Sequence, residues 1–175
     1  MDLIRNALTI DVEDYFQVAA LAEAVRREDW HSMEYRVEAN TDRLLEFFSD
    51  KGVKGTFFTL GWVAEKSPDL VRRIQRAGHE IASHGYSHQL VYNQRQEVFR
   101  EETRKSKSIL EDITGEAITG YRAASYSITA QSRWALDILC EEGFTWDSSI
   151  FPVHHDRYGM PGTPHEPYWL KAPNG

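Results

Sequence analysis

Two short segments of this sequence carry side chains that could bind one metal ion together. His84 and His88 lie four residues apart, a spacing that lets both imidazoles reach one cation if the segment turns helically. Asp11, Glu13 and Asp14 crowd three carboxylates, whose mutual repulsion is unfavourable unless a cation lies nearby. Alone, the histidines also fit the surface or the N-terminus of a helix, and the acids also fit a helix N-cap cluster or a solvated loop. Together they predict a site of two histidines and one carboxylate with positions open for water.

The three acids are not equivalent if they lie on a strand. Alternation places Asp11 and Glu13 on one face, and Asp14 joins them only where the strand has ended. A third candidate segment contains Arg122, whose guanidinium can hold a carboxylate through a bidentate pair and so orient a catalytic acid or base. It also fits an ordinary surface arginine. Asp147 precedes two serines, which predicts either a simple turn or a further wall of the site.

Strands and helices alternate along the chain. The apolar patterns predict strands at residues 7–12, 55–60, 80–83, 117–121 and 144–147, and helices at residues 37–51, 68–77, 95–113 and 129–142. This order predicts parallel βα units, in which active residues gather at the carboxyl ends of the strands. Residues 15–35 and 151–167 do not fit the repeat and are expected to be loops over the site.

Composition restricts the class of partner. The chain has 175 residues, enough for one domain, and 27 acidic against 20 basic side chains give a net charge of −7. No cluster of Lys or Arg predicts binding to nucleic acid or to an anionic membrane, and a neutral or cationic substrate fits better. The single cysteine, Cys140, excludes an intramolecular disulfide, and its apolar neighbours predict a buried thiol.

The N-terminus contains no basic stretch followed by a long apolar segment. No apolar run in the chain approaches the ~18 residues of a membrane span. From the sequence we therefore expect a cytoplasmic protein without a membrane span.

In this order the segments resemble the family-4 carbohydrate esterases, the polysaccharide deacetylases that include chitin and peptidoglycan deacetylases. The resemblance covers about residues 8–152: residues 9–14 are similar to the first motif, 84–88 to the second and 120–126 to the third, with 56–58 and 144–149 similar to neighbouring strands. The most similar branch joins peptidoglycan deacetylases with allantoinase-like amidases and includes deacetylases linked to bacterial exopolysaccharide export.

The resemblance implies a distorted (β/α) barrel of about seven strands and a metal-dependent hydrolase that removes N-acetyl groups from a polysaccharide. It implies one divalent metal, usually zinc, bound by His84, His88 and a carboxylate. That carboxylate belongs to Glu13 or Asp14, and strand alternation favours Glu13.

The resemblance also implies the remaining roles. Asp11 is the general base, and Arg122 orients Asp11 or a neighbouring acid. A backbone N–H of Ser125 or Tyr126 stabilises the oxyanion, and the usual Pro and aromatic residue after the arginine are replaced here by Ala124 and Ser125.

The family's last motif, a strand ending in a proton-donating histidine, has no counterpart in the sequence. Three histidines of the last segment match no motif: His154, His155 and His165. We therefore expect residues 1–175 to be the N-terminal part of the catalytic domain, with the acid beyond Gly175 and an incomplete barrel that self-associates through an open sheet edge. The alternatives are an allantoinase-like cyclic amidase and a non-catalytic glycan-binding domain that uses aromatic side chains such as Trp62, Tyr92 and Trp169.

Overall fold

Five parallel strands form the centre of the protein. The computed structural model describes residues 6–170. Residues 1–5, which belong to the N-terminal segment discussed above, and residues 171–175 lie outside it. Within it the sheet follows the chain in the order β1-β2-β3-β4-β5. The strands are β1 (Thr9–Val12), β2 (Thr56–Thr59), β3 (Glu80–Ser83), β4 (Gly120–Tyr121) and β5 (Trp146–Asp147). The predicted α/β class is confirmed, and four of the five strands are shorter than predicted.

Helices connect successive strands. They are α1 (Val37–Lys51), α2 (Gly61–Lys66), α3 (Pro68–Arg76), α4 (Gln96–Thr114) and α5 (Trp134–Glu141). Because each strand pairs with the next one along the chain, right-handed connections place these helices on one face of the sheet, where α4 packs against α2, α3 and α5. In the described part of the chain, no helix combines the length and the apolar character needed to cross a membrane.

The sheet curves as a partial barrel. Arg122 directly follows β4, yet its guanidinium donates to Asp11 Oδ1 at 2.7 Å and to Thr9 Oγ1 at 3.0 Å, both on β1. Two strands separate β1 from β4, so a flat sheet would keep the backbones of these two strands about 14 Å apart. The five strands thus match part of the distorted barrel, with β1 and β5 at the described edges. Self-association through such an edge stays a prediction.

Residues 15–35 are not the loose loop predicted from the sequence. They contain the short 3-10 helices Tyr15–Gln17, Ala19–Leu21 and Arg27–Ser32. Phe16 and Trp30 are buried, and both pack against Trp62 with their rings near edge-to-face. The segment therefore belongs to the core, and Trp62 serves packing there, whereas Trp169 is 97% exposed.

Gly120 allows an aromatic ring to pack against the backbone of β4. A Cβ atom at this position would lie 2.0 Å from the Trp146 ring, so no other residue fits without movement. The Trp146 ring in turn packs near edge-to-face on Phe58, which is fully buried. This stack fills the concave side of the sheet beneath Arg122, whose guanidinium carbon lies 3.9 Å from the centre of the Phe58 ring.

The prediction that Cys140 is buried is wrong. Its neighbour Leu139 faces the core, and the next position on α5 points outward, so the thiol is exposed. The sequence also placed the start of α5 too early, at residue 129. Residues 129–132 instead form a turn in which the Ser132 hydroxyl accepts from the Thr129 N–H at 2.9 Å.

Candidate active site

Three potential metal ligands meet at the carboxyl ends of β1 and β3. Donor atoms of Glu13, His84 and His88 all lie within 4.8 Å of one another. Glu13 Oε2 is 2.7 Å from His88 Nε2 and 4.0 Å from His84 Nε2. In a tetrahedral zinc site, ligand atoms at about 2.1 Å from the ion lie roughly 3.4 Å apart. The two observed separations bracket that value, so the donor set fits a divalent metal.

His84 is held in the tautomer that suits a ligand. Its Nδ1 lies 2.8 Å from the carbonyl oxygen of Arg122, which can only accept, so Nδ1 carries the hydrogen. The lone pair is therefore on Nε2, the atom that faces Glu13. Burial lowers the pKa of the His84 imidazole, despite the opposing charges of Asp11 and Glu13. The neutral imidazole, which is the metal-binding form, is thus favoured.

The segment between the two histidines does not turn helically. Gly85 and His88 both have positive φ, 72° and 52°, and this compact turn brings the imidazole centroids within 5.4 Å. A left-handed conformation at a residue other than glycine costs about 1–3 kcal/mol and is concentrated at functional sites. Nδ1 of His88 is buried without a hydrogen-bond partner among the described residues.

Glu13 lies between the two imidazoles. Burial alone would raise the pKa of its carboxyl group, but the adjacent imidazoles of His88 and His84 outweigh this effect, so the pKa is lowered. The carboxylate form is therefore favoured, as a metal ligand requires.

Asp11 is positioned by Arg122 beside this group. One carboxylate oxygen accepts from Arg122, and the other lies 4.0 Å from His84 Nε2. The guanidinium is itself fixed, because Arg122 is 5% exposed and also donates to Thr9 Oγ1 and, at 2.9 Å, to Ser148 Oγ. The sequence did not single out Thr9, although strand alternation places it on the same face as Asp11.

Asp14 does not join the metal group, because its carboxylate binds backbone amides elsewhere. Its two oxygens accept from Tyr15 N at 2.9 Å, from Arg36 N at 2.6 Å and from Val37 N at 2.9 Å. The side chain is 3% exposed and caps the N-terminus of α1 from 22 residues away. This corrects the alternative that Asp14 is the third ligand, and we retain Glu13.

Replacing Asp14 by alanine should therefore cost stability and not metal. The change leaves buried N–H groups without an acceptor, so we expect the free energy of unfolding to fall by about 3 kcal/mol. Urea unfolding and elemental analysis measure the two effects. In Glu13→Ala we expect the opposite result: the metal is lost and the free energy of unfolding changes little. A metal-free Asp14→Ala protein that remains folded would return Asp14 to the ligand set.

Tyr126 is not free to act through its backbone N–H as predicted. That N–H donates to the Ala123 carbonyl oxygen at 3.1 Å. Its ring instead stacks on Phe151 with centroids 5.6 Å apart, so the loop after β5 covers this side of the site. Ser125 and Tyr126 both have positive φ, 50° and 52°, a strained conformation that is enriched at functional sites. Ser125 is the remaining candidate for the oxyanion donor.

Asp147 forms part of the support behind Arg122. Burial raises the pKa of its carboxyl group to about 7, against the opposing effects of the Ser149 N–H and the Arg122 charge. Ser149 N–H donates to Asp147 Oδ2 at 2.7 Å, and Ser149 Oγ accepts from Ala123 N at 2.7 Å. The turn after β5 therefore fixes the segment that follows Arg122. His154, His155 and His165 are all exposed.

Comparison with known families agrees with this geometry. A family model described as polysaccharide deacetylase matches residues 29–139. The chain belongs to this family. The matched range includes His84, His88 and Arg122 and begins after Asp11 and Glu13. The family resemblance predicted from the sequence is thereby confirmed.

Named relatives are similar to this polysaccharide deacetylase chain over part of their length. A peptidoglycan deacetylase of Helicobacter pylori is 32% identical over 123 residues, which are 68% of this chain and 39% of that protein. A peptidoglycan-N-acetylglucosamine deacetylase of Bacillus cereus is 35% identical over 98 residues, which are 55% of this chain and 36% of that protein. The chain thus spans less than half the length of these two relatives.

A solved structure supports the fold. The crystal structure of a Mycobacterium smegmatis protein, described as a polysaccharide deacetylase, superimposes with a TM-score of 0.66 at 31% identity. It covers 82% of this chain, and this chain covers 50% of it. The superposition leaves out only about a fifth of this chain, so it includes most of the partial barrel.

Proposed function

We propose that this chain carries the metal-binding and base-containing part of an N-deacetylase that acts on an N-acetylated glycan. The observation that carries the proposal is the placement of Asp11, anchored by Arg122, 4.0 Å from the same imidazole that faces Glu13. A base beside three metal ligands is an arrangement suited to metal-assisted hydrolysis of an amide. The names of the relatives, which refer to peptidoglycan and chitooligosaccharide deacetylases, support an acetamido sugar as the substrate.

In the proposed reaction, the residues of this chain divide the work. Glu13, His84 and His88 would hold a divalent metal, which would supply the positive charge that polarises the acetamide carbonyl and lowers the pKa of the attacking water. Asp11 accepts the proton of that water through its Oδ2, while Oδ1 stays bound to Arg122. The fixed guanidinium keeps the carboxylate oriented and ionised.

The oxyanion and the leaving amine complete the reaction. We assign stabilisation of the oxyanion to the backbone N–H of Ser125. This residue lies in the turn after β4 and has positive φ. The proton for the leaving amine was expected from a histidine beyond Gly175, which lies outside the described residues.

Zinc is the metal that we propose for the site. Two imidazoles and one carboxylate form a three-ligand set typical of catalytic zinc, which leaves a position for water. Iron, cobalt and nickel also accept these ligands. Metal analysis of protein purified without added metal would identify the ion.

Acetate release from an N-acetylglucosamine tetramer tests the proposed function. We expect the metal-loaded protein to release acetate, a chelator to reduce the rate by at least about 100-fold, and added zinc to restore it. Hydrolysis of allantoin in place of the tetramer would favour the cyclic amidase. Binding of the tetramer without acetate release would favour the non-catalytic glycan-binding domain.

A further inference from the structure

A pocket of about 380 Å³ lies beside His88, one of the two histidines of the proposed metal site. It opens between the inserted segment, residues 16–30, and the loop of residues 88–93. Its walls combine apolar side chains with amides and two arginines, and His88 itself contributes to the wall. Sites for small ligands usually measure about 300–1,000 Å³, so this pocket has room for one sugar ring. The proposed reaction uses none of its residues except His88.

The charge of this pocket is opposite to that of the whole chain. The protein has 27 acidic and 20 basic side chains, yet no Asp or Glu is among the residues that line the pocket. Its two cations are Arg26 and Arg27. Arg26 is already paired with Glu28 at 2.6 Å and with Asp29 at 3.1 Å. Within residues 6–170, Arg27 forms no ion pair.

Arg27 is exposed, but one hydrogen bond orients its guanidinium. Its Nε donates to the carbonyl oxygen of Ser87 at 2.8 Å, and Ser87 precedes the metal-binding His88. Because Nε is used in this way, the two terminal nitrogens remain for another acceptor. A guanidinium with a fixed plane binds carboxylates through two parallel hydrogen bonds.

Gln17 provides a second donor whose orientation is fixed. Its Oε1 accepts from the Asp14 N–H at 2.7 Å, so the amide cannot be reversed without placing two donors against each other. The residue is 3% exposed, and its Nε2 has no hydrogen-bond partner among the described residues. A buried donor without an acceptor is costly, and a ligand oxygen in the pocket would satisfy it.

We propose that this pocket, the Arg27 pocket, binds a carboxylate-bearing sugar residue next to the acetamido sugar that is deacetylated. The inference rests on the proposed function and names its substrate class. Arg27 pairs with the carboxylate, and Gln17 donates to an oxygen of the same residue. Net charge alone predicted a neutral or cationic substrate, but the local charge at the site decides recognition. Two glycan units carry such a carboxylate: N-acetylmuramic acid and a uronic acid.

Binding of three tetrasaccharides to the zinc-loaded protein tests the proposal. The ligands are an N-acetylglucosamine tetramer, an alternating N-acetylglucosamine and N-acetylmuramic acid tetramer, and an alternating N-acetylglucosamine and glucuronic acid tetramer. In low salt we expect at least one anionic ligand to bind about tenfold more tightly than the neutral one. Whichever anionic ligand binds more tightly identifies the source of the carboxylate.

Matched variants separate recognition from structure. Arg27→Gln should remove the preference for the anionic ligand and leave the affinity for the neutral tetramer and the zinc content unchanged. Arg43→Gln, the same change at an exposed position on α1, should keep the full preference. An equal loss of affinity for the neutral tetramer in Arg27→Gln would mean that the contact with Ser87 is structural and would overturn the proposal.

Acetate release from the same tetramers distinguishes a failure of the Arg27 pocket from a failure of the proposed deacetylase function. Deacetylation by wild-type protein without any preference for an anionic ligand overturns the Arg27 pocket and leaves the proposed function intact. An anionic preference without acetate release supports the pocket and counts against the proposed function.

Discussion

Asp11→Asn is expected to reduce acetate release by about 1,000-fold while the metal remains bound. Asparagine preserves the size of the side chain and still accepts from Arg122 through its oxygen. It cannot take a proton from water, so the loss should appear in kcat with little change in KM. Steady-state kinetics on the N-acetylglucosamine tetramer, combined with elemental analysis, measure both properties in the same preparation.

The matched control for Asp11→Asn is Asp50→Asn. Asp50→Asn makes the same chemical change at an exposed position near the end of α1, and should leave kcat, KM and metal content unchanged. Near-normal acetate release by Asp11→Asn would show that another group accepts the proton. Loss of the metal in Asp11→Asn would instead place Asp11 among the ligands.

The central part of the site could be predicted from sequence because it depends on strand ends. The parallel strands of a barrel present their carboxyl ends at one rim, so residues at the ends of β1, β3 and β4 come together there. The structure brings Asp11 and Glu13 to His84 and Arg122 at that rim. Strand alternation places Asp11 and Glu13 on one face, and in the structure both lie near His84 whereas Asp14 binds backbone amides elsewhere.

The remaining features depend on tertiary packing that no local pattern reveals. Asp14 caps α1 only because the inserted segment returns the chain to the start of that helix, 22 residues later. The six residues of α2 are too few to show a helical period. Cys140 has apolar neighbours along the chain, but its side chain on α5 points to solvent.

His84→Ala is expected to remove the metal, lowering the content from about one ion per chain to near zero. The imidazole is 2% exposed, and its Nε2 is directed toward Glu13 by the hydrogen bond from Nδ1 to Arg122. Without it, only Glu13 and His88 remain of the three-ligand group. Two ligands do not hold a divalent ion against competition from water, so acetate release should fall with the metal.

The matched control is His79→Ala, which also removes a buried imidazole but lies outside the site. His79 is 6% exposed, packs on Phe57 with centroids 4.9 Å apart and accepts from Gly55 N at 3.2 Å. Its loss should lower stability by about 2 kcal/mol and leave the metal content unchanged. If destabilisation alone removed the ion, both variants would lose metal. A folded His84→Ala protein that keeps its full metal content would show that the ion binds elsewhere in the chain.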